Sequence, residues 1–390
     1  MSIFTSESTG KARVALAIMC KDEAKRIHVT LNSVLPIMKA LVVYDTGSTD
    51  NTVQIIRDFA KVHDIPLYLK EGTFEDFSTS RNILLDLACT VKDVDYALLM
   101  DSNDELRGWE PLQEYCDKNL SSPLEAFYLR QHWWSGTGNV YLNIRLLKLP
   151  TIWRYRGVVH EHLVYPIQGQ KCGQAPECIV IYQDRTQDEG KSLKRFTRDR
   201  ELLEKEVARD PTNGRNVFYL GQTYSCLGEF EKSFDMYTRR THITEGFHEE
   251  RFHAYLRSGE IAQKKMGRPW HECMTLYLAA YQCIERVEPL IMISLYYIAL
   301  KQWRIAFIYL RIAIDLPIPT NCALFIDNDM YNYTRWNLMG LTAWFCQHYD
   351  IGEKCVQLAI HARPDSESDK QNMEYYLKRK QELAEKKNGE

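Results

Sequence analysis

Up to about residue 190 the chain alternates short apolar runs with helical patterns, and beyond that point the short runs stop. This change of period limits the possible folds more than any single motif. Val14–Cys20 is a continuous apolar run ending in Lys21-Asp22-Glu23, and a helical pattern follows from about Lys25 to Leu35. Leu41–Asp45, Pro66–Glu71 and Ala97–Met100 are three further runs, separated by helical patterns that reach about His63 and span Phe77–Cys89. Strand, polar loop and helix in repetition is the order of a parallel sheet with helices on its faces. Ligands of such sheets meet the carboxyl ends of the strands.

At 390 residues the chain is long enough for two domains. A formal net charge of -3 supplies no field to gather DNA or anionic lipid, so a nucleic-acid partner is not expected. No apolar run approaches the roughly 20 residues that span a bilayer, and Met1 to Gly10 lacks a signal-peptide core, so the expected location is cytoplasmic. Eleven cysteines without a Cys-x-x-Cys pair read as reduced thiols in apolar patterns, with Cys172 and Cys178 the closest approach to a pair.

The fourth run delivers Asp101, Asn103, Asp104 and Glu105 together at its carboxyl end. Three carboxylates within five residues repel one another unless a cation sits among them, and oxygen ligands suit Mg²⁺ or Mn²⁺. In isolation such a cluster is more often a solvated acidic turn. After the second run comes Asp45-Thr46-Gly47-Ser48-Thr49-Asp50-Asn51-Thr52. Gly47 permits a tight turn, and Ser48 or Thr49 is placed to cap a helix whose free N–H groups suit a phosphate or polar ligand. Asp45 either accepts hydrogen bonds from a base or ribose, or forms a helix-capping Asx turn. No P-loop and no Gly-x-Gly-x-x-Gly turn is present, and Lys11 and Arg13 are too sparse for a phosphate-binding loop at the first run.

Taken together, Val14–Cys20 with Lys21-Asp22-Glu23, Val42 to Thr52, Phe77-Ser78-Thr79-Ser80-Arg81-Asn82 and Leu98 to Glu105 resemble glycosyltransferase family 2. Four motifs occur in the family's order over roughly the first half of the chain. The resemblance implies an α/β GT-A fold, a nucleotide-sugar donor (UDP being the expected nucleotide), Mn²⁺ or Mg²⁺, and inversion at the anomeric carbon. It implies a donor site drawn from Cys20, Glu23, Asp45, Gly47, Ser48, Arg81, Asp101, Ser102 and Asn103. Glu23 and Asp45 would hold ribose and base, and Arg81 the nucleotide or its diphosphate. The family's usual Asp-Ala-Asp-Glu is lengthened here by Ser102-Asn103, so the metal set stays open among Asp101, Asn103 and Asp104, with Asp101 and Asp104 favoured and Asp104 also placed in the catalytic set.

Beyond Asp104 longer runs, Glu125–Trp134 and Val140–Leu149, flank Ser135-Gly136-Thr137-Gly138-Asn139 and read as a hairpin. Trp133-Trp134 either stack on a sugar or fill the core, and alternation buries one of them. Next come Arg145, then Arg154-Tyr155-Arg156-Gly157-Val158-Val159-His160-Glu161, similar to the later part of many family-2 enzymes. An inverting transfer needs a carboxylate to take the acceptor's proton and positive charge at the departing diphosphate. Glu161 is the candidate base, with Asp184 and Asp188 as rivals. His160 is a candidate metal ligand or diphosphate donor, His162 is an alternative two residues on, and Arg145 or Arg156 would add positive charge.

From about Gly190 helical periodicity takes over. Ser192–Arg209 reads as a long charged helix. Val217–Tyr224 with Lys232–Arg239, Arg251 to Arg286, Pro289–Leu316 and Tyr331–Arg363 read as four helical hairpins of about 35 to 43 residues each, with a long loop over Pro317–Asn328 and a frayed charged end from Lys378. These units resemble tetratricopeptide repeats, and Gly221 marks a close approach of two helices. The expected division is a GT-A domain over 1–190 and an all-α helical-repeat domain over 191–390. The repeats imply a protein partner or self-association, or merely completion of the fold. The leading expectation is a metal-dependent glycosyltransferase acting on a hydroxyl of a glycan or protein. The alternative is a repeat-based interaction scaffold whose nucleotide-sugar domain is inactive.

Overall fold

The computed structural model describes residues 10–134, 138–167, 169, 171–184, 191–320, 322 and 324–388. The chain divides into two compact units, Met1–Leu202 and Leu203–Glu390. In the first unit the elements are β1 (Val14–Cys20), α1 (Ile27–Val34), β2 (Met38–Asp45), α2 (Thr52–Val62), β3 (Leu67–Glu71), α3 (Phe77–Cys89), β4 (Tyr96–Asp101), β5 (Glu105–Arg107), α4 (Trp109–Lys118), β6 (Ala126–Trp134) and β7 (Gly138–Lys148). After these come β8 (Arg154–Arg156), β9 (His162–Val164), β10 (Cys172–Gln174) and β11 (Val180–Asp184), and α5 (Lys191–Arg209) crosses into the second unit.

Among the described residues the main sheet has the order β3-β2-β1-β4-β7-β6-β11-β5, with β10 paired to β6; β8 and β9 form a separate two-stranded sheet. The β3-β2-β1-β4 half is parallel, as the alternation of runs and helices predicts, and β7 joins β4 antiparallel. Successive β1 residues serve opposite faces. Val14, Leu16 and Ile18 pack with Ile27, Leu31 and Leu112 on one side, while Ala15 and Ala17 meet Leu84, Leu85 and Trp153 on the other. Both faces are covered, so the run has no polar positions to spare. Each fully buried Leu or Ile contributes about 1.5–3 kcal/mol. Parallel register then sets Cys20 beside Asp45 and Met19 beside Asp101, so three strands end together.

Some sequence expectations need correction. Helix α4 and the short strand β5 lie where only long strands are expected; the apolar Leu112 and Cys116 of α4 are four apart and both fully buried. Neither Ser48 nor Thr49 caps α2. The Asp50 carboxylate accepts from Thr52 N (2.9 Å) instead, while the Ser48 hydroxyl donates to Asp45 (2.5 Å) and accepts from Asp22 N (2.9 Å). No disulfide joins the eleven cysteines, with Cys20, Cys116, Cys273 and Cys355 buried but Cys178 and Cys226 exposed.

The second unit continues with α6 (Gly214–Cys226), α7 (Phe230–His242), α8 (His248–Lys264), α9 (Trp270–Cys283), α10 (Val287–Ala299), α11 (Trp303–Asp315), α12 (Arg335–Phe345), α13 (Tyr349–Ala362) and α14 (Glu367–Asn388). Successive helices pack as four hairpins, α6 with α7 through α12 with α13. A Cβ on Gly221 would lie 3.1 Å from the Tyr237 ring, and one on Gly259 2.7 Å from Tyr277, so glycine permits the close crossing in the first two pairs. The charged end is not frayed from Lys378. Helix α14 continues to Asn388 because Tyr376 is buried against the last hairpin, its hydroxyl donating to Gly340 O at 2.5 Å.

Candidate active site

At the aligned strand ends, four elements deliver charged side chains to one place. Helix α3, capped by Asp76 through Thr79 N, carries Arg81; β4 ends in Asp101; β7 carries Arg145; and the loop after β8 carries Glu161. Arg81 Nη2 donates to Asp101 Oδ1 at 2.7 Å and its Nε donates to Glu161 Oε1 at 2.5 Å. Arg145 Nη2 lies 3.3 Å from Asp101 Oδ2 and 3.1 Å from Gln131 Oε1. Both arginines are buried. Burial opposes ionisation of Asp101, but Arg145 and Arg81 outweigh it and hold this carboxyl well below the usual range. Next to Arg81, Asn82 exchanges hydrogen bonds with the backbone of Tyr155 (2.8 and 3.0 Å), which pins β8 to α3 and fixes the start of the Glu161 loop.

Residues 101–104 form a tight turn, closed by Asp104 N donating to Asp101 O at 3.1 Å. Asp104 points inward and is fully buried. Its Oδ2 accepts from Asp101 N (2.9 Å) and its Oδ1 from Gln183 Nε2 (2.8 Å), which also reaches Asn103 Oδ1 (2.9 Å). Thr30 Oγ1 donates to Asp104 O at 2.7 Å. Burial first, then the Asp101 charge, push the Asp104 carboxyl up to about 7.

At the ends of β1 and β2 the loops are laced to each other. Asp45 Oδ1 accepts from Gly47 N (3.0 Å) and Ser48 N (2.8 Å), and Gly47 holds φ +96°, a value suited to glycine. Asp45 thus caps its own loop. Asp22 Oδ1 accepts from Thr49 N (2.7 Å), and Glu23 N donates to Thr52 Oγ1 (2.8 Å). The Cys20 thiol lies 3.5 Å from Asp45 Oδ2, and burial raises its pKa. Ser102 is buried in the acidic turn.

A divalent cation fits this arrangement poorly. Asp101 is committed to two guanidinium groups, Asp104 is buried with both oxygens engaged, and Asn103 brings no charge. His160 is exposed, at φ +50°. Among the described residues no three His, Cys, Asp or Glu side chains gather as metal ligands. The expected set of Asp101, Asn103, Asp104 and His160 is therefore not assembled as ligands, and the positive charge among these carboxylates comes from Arg81 and Arg145.

Residues 16–139, which hold the aligned strand ends and the acidic turn, match the description of glycosyl transferase family 2. That segment is a family 2 glycosyltransferase domain. Arg145 and Glu161 lie beyond the matched glycosyltransferase segment and are joined to it by the contacts with Asp101 and Arg81. The chain is 23% identical over 252 residues to the SPbeta prophage-derived glycosyltransferase SunS of Bacillus subtilis (strain 168) and to glycosyltransferase SunS of Bacillus phage SPbeta. The alignment covers 63% of this chain and 57% of those proteins, so the chain spans somewhat over half the length of the curated relatives it matches. Two solved structures resemble part of it. The MamA crystal structure has 15% identity and a TM-score of 0.35, covering 45% of this chain and 94% of that one. YrrB, described as a TPR protein with an unusual peptide-binding site, has 12% identity and a TM-score of 0.33, covering 46% and 84%.

Of the other sequence candidates around the glycosyltransferase site, Arg156 and His162 face each other in the β8–β9 pair and are exposed. Asp184 ends β11, and Asp188 lies outside the described residues. Trp133 packs edge-on to Tyr141 at 4.9 Å while Trp134 is exposed. Sequence reasoning missed Gln131, Gln183 and Thr30, uncharged residues with no local signature. It also missed Asp199 on α5, which is buried, has Oδ1 without a hydrogen bond, and is pushed up to about 6 by burial, with Arg198 and Glu161 among the charges acting on it.

Proposed function

We propose that the first unit transfers a sugar from a nucleoside diphosphate, UDP foremost, to a hydroxyl of a glycan or protein, with inversion at the anomeric carbon. The observation that carries this reading is the Glu161–Arg81–Asp101–Arg145 chain at the carboxyl ends of the parallel strands. Glu161 is the base. Arg81 binds its Oε1, which orients the carboxylate, and its Oε2 carries no hydrogen bond among the described residues. That oxygen takes the proton as the acceptor oxygen attacks the anomeric carbon and the nucleoside diphosphate departs. Glu23 and Asp45 stand on the nucleoside side, and Asp101 on the diphosphate side. Arg81 and Arg145 supply fixed positive charge where negative charge grows on the leaving group. No step is assigned to a divalent cation.

The helical unit is the proposed place for a protein partner or a second copy. No helix among the described residues is long and apolar enough to cross a membrane. A screen of nucleotide sugars for transfer and slow hydrolysis tests the catalytic reading. Turnover of one of them is the expected result. If nothing turns over and UDP does not bind by calorimetry, the scaffold reading replaces it.

A further inference from the structure

Each of the four hairpins closes with a helix that opens on an aromatic residue: Phe230 in α7, Trp270 in α9, Trp303 in α11 and Tyr349 in α13. The four can therefore be compared position by position. Third, sixth and tenth from that start, positions that share one helix face, α7 carries Lys232, Asp235 and Arg239, and α9 carries Glu272, Thr275 and Ala279. In α13, Lys354 separates Ile351 from Leu358. Of the four, only α11 has an isoleucine at all three positions, and Ile305, Ile308 and Ile312 are 38%, 58% and 39% exposed. The opposite face of α11, through Ala306, Leu310 and Ala313, is the one that is buried. Packing inside the unit thus gives no reason for the isoleucines. Isolated exposed apolar residues are ordinary, but three in one stripe mark a contact surface.

The pattern itself points to what covers the stripe. Ile305 and Ile312 stand at equal distances on either side of the point between Ile308 and Tyr309, so the stripe reads alike from both ends. Two copies of α11 crossing antiparallel at that point set Ile305 of each opposite Ile312 of the other, with the two Ile308 side chains together at the centre. The charges follow the same symmetry. Arg304, Arg311 and Asp315, at i, i+7 and i+11, are all exposed and border the stripe on one flank. In the antiparallel crossing this flank meets its own reverse. At a rise of 1.5 Å per residue, Arg304 of one copy comes within about 3 Å, measured along the axis, of Asp315 of the other, and the contact occurs twice. Asp315 is already paired with Arg311 at 3.1 Å in its own helix, and a carboxylate has lone pairs enough for a second guanidinium.

We propose that the exposed face of α11 is the interface of a homodimer, in which α11 of each copy packs antiparallel on α11 of the other across a two-fold axis beside Ile308. The occupant is a second copy of this chain. The proposal deepens, and rests on, the reading of the helical unit as the place for a protein partner or a second copy; sugar transfer does not enter it. A two-fold contact uses the same patch on both copies and leaves none exposed, so assembly stops at two. With a centre of only three isoleucines per copy, the interface is small and a dissociation constant of about 1–100 µM is expected.

Sedimentation velocity of the full chain, run from about 1 µM to about 300 µM, tests the proposal, and a passage from monomer to dimer is the expected result. Ile308→Asp places a charge at the centre of the contact. Because the position is exposed, circular dichroism should be unchanged while the dissociation constant rises at least about tenfold. A chain that stays monomeric throughout overturns the proposal and leaves the helical unit to a different protein partner. A dimer that Ile308→Asp leaves intact overturns the α11 surface alone, since self-association then lies on another face. The pairing is tested by Arg304→Glu and Asp315→Arg, each of which sets like charges against each other twice and should weaken self-association by about threefold or more. Mixed in equal amounts, the two variants restore both opposite-charge contacts and should associate within about twofold of the unaltered affinity. Indifference to the single charges, or no recovery on mixing, overturns the antiparallel pairing.

Discussion

Two buried polar networks, one in each unit, are built from the same residue types and arranged to opposite ends. Around Asp101, the arginines Arg81 and Arg145 bind carboxylates and a side-chain amide, and every partner comes from a different element. Around Arg286, two of the partners are carbonyl oxygens of consecutive residues, and Glu249 supplies the matching acceptor for an N–H. A network that joins side chain to side chain ties separate elements together at the strand ends. One that joins side chain to main chain holds polypeptide. The same residue types thus gather at strand ends in one setting, where the proposed reaction would take place, and at helix starts in the other, where they hold the chain's own Leu324 and Phe325 main chain.

The largest expected effect falls on the chemistry of the first network. Glu161→Gln keeps a hydrogen bond to Arg81 but cannot take a proton, so transfer should fall by about 10²–10⁴-fold, while UDP affinity by calorimetry stays within about twofold. Loss of UDP binding would instead make Glu161 part of the donor site. Next is Arg81→Met, which removes the cation shared by the partly buried Asp101 and Glu161, leaves Asp101 to Arg145 alone, and should cost about 1–3 kcal/mol in denaturant unfolding of the first unit. A cost under about 1 kcal/mol would mean that the network is not held as a unit.

A smaller effect tests the packing of the first hairpin in the helical unit. In Gly221→Ala the new methyl meets the Tyr237 ring at 3.1 Å, and about 1–3 kcal/mol of stability should be lost from the helical unit without change in UDP binding. Asp104 supplies a pH-dependent term. Its carboxyl is raised to about 7 in the folded chain, so between the usual carboxyl range and 7 the native state holds a proton that the unfolded chain has released. Its stabilisation is complete below the unfolded pKa and is lost as pH rises through about 7. The melting temperature should therefore fall from pH 5 to pH 8 in the unaltered chain, and fall less in Asp104→Asn. The smallest effect expected is that of cation removal. With Asp101 already paired to two arginines, UDP affinity in Mn²⁺ and in EDTA should differ by less than about threefold; a much larger difference would show that a cation displaces an arginine from Asp101.

Much of this was legible in the chain. Val14–Cys20, Leu41–Asp45 and Ala97–Met100 read as strands because burial on both faces leaves no polar position, and helix α3 was legible at both ends. Helix α4 was not, because its few apolar residues lie among Glu110, Gln113, Glu114 and Asp117 and mimic a polar connection. In the site, Arg81, Asp101, Arg145 and Glu161 could each be named from motif and charge. The inward turn of Asp104 could not, since it depends on Gln183, 79 residues away. The loop over Pro317–Asn328 was seen as a loop, but nothing in its composition announced that Glu249, His253 and Arg286 bind its main chain.

The sequence by itself determined the periods and the inventory. It set a strand-and-helix half, a helical-hairpin half, and a supply of carboxylates and arginines at the strand ends, because burial patterns and backbone propensities act over a few residues. Only the tertiary structure decided the pairings. Whether Asp101 faces a cation or two guanidinium groups, and whether Arg286 neutralises a side chain or grips a carbonyl, depends on residues brought together from distant parts of the chain. At separations of a few ångströms in a low-dielectric interior, that placement outweighs any local preference.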